Sequence, residues 1–280
     1  MAAPVPPHFR AIVAHDLAGL REMLQDYGDP LETLPGGLTA LHAAALAGYG
    51  EAVPLLVAAG MPVDAKLTAV AEQLASSAKM LESCGLDICA PDMSDWRGAT
   101  PLCCACHARQ LGAVIALLAS GTSPSVRDAA GLTPVGNMVH TISGHELTFE
   151  ERQTLQALLA AGADPLDWSD SLNGNPRLLA SRSHGLTELL LRHLVQQHEK
   201  GQRQLERQQL LEVLREALSQ RVPTEFHYFL RQLAGQQPAC PAMSVHLLEN
   251  AVYSEDEGML AALLGSGVLQ RPQIVGYPLG

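Results

Sequence analysis

The pattern D-x-x-G-x-T-P-[L/V] occurs twice, at 95–102 and 128–135, with Thr100 and Thr133 separated by 33 residues. A fixed period carrying the same turn and cap residues confines a chain to a repeat architecture, in which each unit buries its apolar face only against its neighbours. A third copy of the core runs from 37 to 64 as G-L-T-A-L-H-A-A-A-L-A-G-Y-G-E-A-V-P-L-L-V-A-A-G-M-P-V-D.

The local chemistry of that copy reads as helix, turn, helix. Thr39, Thr100 and Thr133 stand where an N-cap hydroxyl satisfies orphan N–H groups of a first turn. Pro101 and Pro134 follow at the first helical position, where a missing N–H costs nothing. Ala43, Ala44 and Ala45 keep the first helix thin, and Val53, Leu55 and Leu56 supply a buried face for the second. Gly48 suits the left-handed turn between them, and Pro54 falls in a first helical turn, where proline is tolerated. At these positions the chain resembles the ankyrin-repeat family, closely over 36–166, more loosely over 8–35 and 167–195, and weakly beyond 196. The resemblance implies an all-α solenoid of stacked helix-turn-helix units joined by β-turn fingers, with degenerate N- and C-terminal capping repeats.

Helix-ending glycines mark the units at Gly60, Gly85, Gly121, Gly162 and Gly267. Against a period of about 33, the slot ending at Gly85 reads as a repeat short by eight residues. The slot ending at Gly162 reads as one with eight extra, placed around His140 to Glu150. The expected organisation is a disordered tail over 1–7, a solenoid over 8–195, diverged helical repeats continuing or capping it over 196–268, and an irregular tail over 269–280. A separate helical domain after 196 is the alternative.

Composition supports stacked helices: 47% of residues are apolar but only 4% aromatic, a core of small aliphatic side chains rather than of a β-sandwich. The net charge of −11 repels phosphate backbones, so no nucleic-acid partner is expected. No run of apolar residues is long enough to span a bilayer. The start Met1-Ala-Ala-Pro-Val-Pro-Pro-His8 lacks the basic and apolar regions of a secretory signal. The expectation is a cytoplasmic protein, monomeric when alone and without a membrane partner; a non-classical export route stays open.

Five of the six cysteines crowd together, at Cys84, Cys89, Cys103, Cys104 and Cys106, and Cys240 is remote. They show no C-x₂-C knuckle of the kind zinc sites use. Cys103 stands where the ankyrin pattern usually has His and Cys106 where it usually has Ala, so both are expected as small buried apolar residues, with no metal and no cofactor. His42 keeps the family's histidine, whose implied role is to tie neighbouring fingers by hydrogen bonds. No nucleophile-elbow, phosphate-loop, zinc-helix or dinucleotide motif occurs. Asp92, Asp95 and Asp128 belong to turns.

The resemblance places partner contacts on finger tips and the exposed side of first helices. Matched slot by slot, these positions are Pro35, Gly36, Leu38 and Tyr49, then Trp96, Arg97, Ala99, Arg109 and Gln110, then Ala129, Ala130 and Leu132. Trp96 reads equally as an exposed anchor or as a ring packed on the neighbouring finger, and Trp168 poses the same question. The 140–150 segment is a second candidate contact. The function implied is a non-catalytic protein-binding module of scaffold, inhibitor or antidote type, with another protein as partner. Two alternatives remain: an effector or enzyme whose active site lies after 196, where Glu225, His227, Tyr228 and His246 fall, and a metal-responsive module built on the Cys84–Cys106 cluster.

Overall fold

The capping chemistry produces the expected helix starts. Thr39 and Thr100 accept the amides of His42 and Cys103, and Thr133 Oγ1 accepts the amide of Gly136 at 3.2 Å. The structure, a computed structural model, describes residues 5–26, 32–68, 71–86, 96–142, 146–166, 184–235, 251–252, 256–266 and 268. Among these residues it is all-helical, with no strand beyond one isolated antiparallel bridge between Leu34 and Leu38. The expected tails over 1–7 and 269–280 and the 173–183 segment lie wholly or largely outside the described residues, as does Trp168.

The chain divides into two compact units. The first contains α1 (Pro7–Val13), α2 (Leu17–Asp26), α3 (Ala40–Ala47), α4 (Ala52–Ala58), α5 (Ala71–Glu82), α6 (Pro101–His107), α7 (Leu111–Ala119), α8 (Pro134–Ile142) and α9 (Phe149–Ala160). First helices stack in the order α1, α3, α6, α8 and second helices in the order α2, α4, α7, α9. Stacking this close needs thin helices and bare turns. Ala43, Ala44 and Ala45 are fully buried, and a Cβ on Gly50 would come within 2.6 Å of the Gly112 carbonyl oxygen in the next turn.

The α1–α2, α3–α4 and α6–α7 pairs close through the same turn, with one left-handed residue at its head: His15 (φ 54°), Gly48 (φ 70°) and Arg109 (φ 56°). In all three, the next amide reaches back five residues to a carbonyl of the first helix: Asp16 to Ala11, Tyr49 to Ala44 and Gln110 to Ala105, each at 2.9 Å. Only glycine takes this conformation without strain. His15 and Arg109 hold it because their side chains are used, as described below.

The repeat between Gly60 and Gly85 is not there. α3 packs directly on α6 and α4 on α7, so the repeat of 37–64 is followed immediately by that of 97–129. The finger between them shows what happened. In the 34–38 finger, Leu34 N–H donates to Leu38 O and Gly37 N–H to Leu34 O; in the 128–132 finger, Asp128 N–H donates to Leu132 O and Gly131 N–H to Asp128 O. The intervening finger makes the same two bonds between Leu67 N–H and Ala99 O and between Gly98 N–H and Leu67 O. Its two arms are thus Leu67 and Ala99, and the tip that elsewhere holds three residues here carries α5. Thr39 and Thr100 are 61 residues apart, one period plus a 28-residue insertion. The terminal glycine at position 85, which imitates the end of a second helix, in fact ends α5.

The lengthened slot near residue 140 resolves differently. α8 and α9 extend toward each other, with α9 reaching twelve residues from a capping box of Thr148 and Glu151. Most of the extra length is therefore helix rather than loop.

The second unit contains α10 (His184–Glu199), α11 (Arg207–Ser219), α12 (Pro223–Ala234) and α13 (Glu257–Gly265). α11 and α12 pack on each other and on α10, and α13 packs on α12. Phe226, Phe229, Val213 and Leu214 are fully buried, and Leu190 and Leu194 nearly so, in its core. The boundary expected at 196 falls inside α10, because the polar run from Gln196 begins as the last turn of that helix. The α11–α12 turn has the same geometry as those of the first unit: Arg221 is left-handed at φ 54°, and Val222 N–H donates to Ala217 O at 2.9 Å.

Candidate functional site

Three fingers of the first unit form one hydrogen-bonded row. Thr68 N–H donates to Gly36 O at 3.0 Å, and Ala129 N–H donates to Arg97 O at 2.8 Å, equivalent bonds one finger apart. His42 fixes the row to the helices below. Thr39 N–H donates to His42 Nδ1 at 3.2 Å, so the ring carries its proton on Nε2, which donates to Ala99 O at 3.3 Å. Burial pushes the imidazole down to about 4, against smaller opposing contributions from the carbonyls of Ala99 and Ala65. It is a neutral structural tie, the role its place in the repeat implied.

The row exposes Pro35, Lys66, Arg97 and Ala129, with Ala130 and Leu132 half-buried. Lys66 Nζ donates to Arg127 O at 3.0 Å, and Arg127 Nη1 donates to Gly131 O, so the cationic side chains lie along the fingers. Asp128 faces inward, accepting the Leu132 amide at 2.8 Å and the Asn137 side-chain amide at 3.0 Å. Sequence reasoning missed Lys66, which lies in the segment taken for a shortened repeat; Asp64 two residues earlier is the one local sign of a finger there.

Four expected contact residues are instead interior, Ala99 at 5% exposure among them. Leu38, Tyr49 and Trp96 are 0%, 5% and 6% exposed, so they hold the repeats together rather than face a partner. Tyr49 stacks on His15 with ring centroids 4.4 Å apart. Trp96 meets the edge of His107 at 4.8 Å and helps line a void of about 20 Å³ with Cys103, Cys104, Asp128 and Asn137, room for one water at most. Arg109 is exposed but engaged, donating to Thr141 O at 2.8 Å and pairing with buried Glu151 at 3.2 Å. Gln110 is half-buried, and its side chain fills the space above Gly48. Of the expected contacts, Pro35, Gly36, Arg97, Ala129, Ala130 and Leu132 remain on the finger face.

Cys103, Cys104 and Cys106 are buried, and burial raises all three thiols. Thr100 Oγ1 lies 3.4 Å from Cys103 Sγ, so cysteine takes the histidine's place beneath the cap. Among the described residues no group of three or more His, Cys, Asp or Glu side chains is placed to hold a metal ion. Cys89 and Cys240 lie outside those residues, as do Asp92, Asp95 and the side chain of His140.

In the second unit, Glu225, His227 and Tyr228 line an open cleft of about 600 Å³ between α10 and α12, with Arg192 and Arg231. Each of the three has a structural partner. Glu225 pairs with Arg192 at 3.5 Å, Tyr228 hydroxyl bonds His198 Nδ1 at 2.8 Å, and His227 Nδ1 donates to Pro223 O at 2.6 Å. His246 lies outside the described residues. Among those residues, no helix is long and apolar enough to cross a membrane.

The ankyrin-repeat family model matches residues 97–129. That span runs from the second arm of the inserted finger through α6 and α7 to the tip of the next finger, one complete repeat of the stack. The direct stacking of α3 on α6 and α6 on α8 places ankyrin-type neighbours on both sides of it. No curated protein matches the chain.

Proposed function

We propose that this chain is a non-catalytic protein-binding module of scaffold, inhibitor or antidote type, and that its partner meets the finger row through Arg97, Ala129 and Leu132, with Lys66 beside them. The observation that supports this most directly is the row itself: rigid, backbone-bonded, and carried by an ankyrin repeat, a unit that generally serves protein binding. Exposed Arg is a frequent anchor in such contacts, and fingers that need no rearrangement lose little entropy on association. In the α10–α12 cleft, Glu225, His227 and Tyr228 are each engaged by a side chain or a backbone carbonyl, which speaks against their use as catalytic groups.

The test is capture of a protein from source-cell lysate by wild type and by Arg97→Glu/Ala129→Arg. Both positions are exposed, so the fold survives the change and thermal unfolding provides the control. A protein bound by wild type and lost with the variant supports the reading. Retention by the variant moves the contact off the fingers, and turnover of a substrate by the purified chain would sink the non-catalytic assignment.

A further inference from the structure

The 28-residue insertion at the tip of the middle finger is not a loose loop, because it delivers a helix back onto the first unit. α5 packs against α1, and Ser77 Oγ donates to Pro35 O at the tip of the 34–38 finger. α1 and the 34–38 finger are the two walls that α5 touches, and the groove they form lies beside the finger row on which the proposed function seats a partner. α5 therefore fills the N-terminal groove next to that row.

The helix is built for this seat. Leu74, Ser77, Ala78 and Leu81 are buried, a stripe at i, i+3, i+4 and i+7 with two aliphatic anchors around two small residues. Glu72, Gln73, Ala75, Ser76, Lys79 and Glu82 on the other faces are exposed. The joint between the neighbouring repeats closes without α5. Its base is closed by the Leu67 and Ala99 bonds, α3 and α6 touch without it, and the His42 tie to Ala99 spans the same joint.

We infer that α5 is a displaceable occupant of the chain's own groove, and that the groove takes in its place an amphipathic helix of the partner with the same Leu-small-small-Leu stripe. This rests on the protein-binding reading and names both the chemistry of the partner and a restraint on it. A partner helix must compete with α5, whose tether to the finger gives it a high effective concentration. Binding is consequently weak until α5 is unseated, while contacts on the outer faces of Arg97 and Ala129 are unaffected.

The experiment uses the full chain, wild type and Leu74→Asp/Leu81→Asp, with a labelled synthetic peptide of residues 71–86 as probe. The expected result is saturable binding to the variant at least tenfold tighter than to wild type, and loss of binding when the peptide carries the same two aspartates. Equal binding to both proteins, or none to a variant whose remaining helices are intact by circular dichroism, overturns the inference. Hydrogen exchange on wild type gives an independent check: α5 amides should exchange at least tenfold faster than those of α3 and α6, and equal protection also overturns it. Either failure leaves capture through Arg97 untouched, so the two readings fail separately.

Discussion

Arg109 Nη2 donates to Thr141 O at 2.8 Å, joining residues 32 apart, and His15 Nε2 donates to Ala47 O at 3.1 Å across the same interval. Both donors hold the left-handed place at the head of a helix-turn-helix, and both acceptors lie at the end of the next repeat's first helix. A position usually given to glycine has been given to side chains that staple one repeat to the next. Arg109 adds its pair with Glu151, whose carboxylate also caps α9 through the Thr148 amide.

The staple makes a substitution series informative. Arg109→Ala keeps the strained φ of 56° and loses both bonds, and should lower stability by about 2 kcal/mol. Arg109→Gly loses the same bonds but relieves the backbone, and should cost about 1 kcal/mol less. Urea unfolding of the two variants measures this; a glycine variant no more stable than the alanine one would mean the strain is not real.

His42 gives the first unit an acid sensitivity of definite sign. Its folded value of about 4 lies below that of a solvated imidazole, so the unfolded chain takes up the proton first. The contribution is complete above about pH 6.5 and is lost as pH falls toward 4, by at most about 3 kcal/mol. His42→Cys, copying the residue at Cys103, should be less stable than wild type at pH 7.5 and lose less between pH 6.5 and 4. His8, also lowered chiefly by burial, is present in both proteins, so their difference isolates His42. Parallel stability curves would refute the assignment.

What the sequence made legible was local. Caps at Thr39, Thr100 and Thr133, the prolines after two of them and the thin alanine helix each depend on neighbours a few residues away, and all are found where expected. The inserted helix was not legible, because Asp95 to Leu102 repeats the finger motif while the arm that pairs with Ala99 comes from Leu67, 32 residues earlier. Gly85 completed the illusion by ending a helix as Gly60 does. The binding face was half legible for a related reason: Leu38, Tyr49 and Trp96 occupy finger and turn positions by register, but their burial depends on neighbouring repeats and on packing that no spacing reports.

The cysteines offer a chemical readout of the stack. Cys103, Cys104 and Cys106 lie inside α6 with raised thiols, whereas Cys84 is half-buried. Thiolate and access both govern alkylation. Mass-spectrometric mapping after brief iodoacetamide treatment of the native protein should show Cys84 modified at least tenfold faster than the other three. Comparable labelling of Cys103 in a folded sample would place α6 nearer the surface than described.

Glu216 should give the second unit the opposite response to pH. It is 3% exposed on α11, and its Oε1 has no hydrogen-bond partner. Burial raises the carboxyl to about 7, with Arg215, Ser219 and Gln220 only partly opposing the shift. Because the folded value exceeds the unfolded one, the protonated acid is accommodated below about pH 4.5, and stability is lost as pH rises through 7. Glu216→Gln keeps the shape and removes the charge. It should stabilise this unit by about 2 kcal/mol at pH 8.5, with the gain vanishing near pH 5. Unfolding followed at both pH values tests it, and a glutamine variant no more stable than wild type at pH 8.5 would show that the carboxylate finds solvent or a cation in the folded protein.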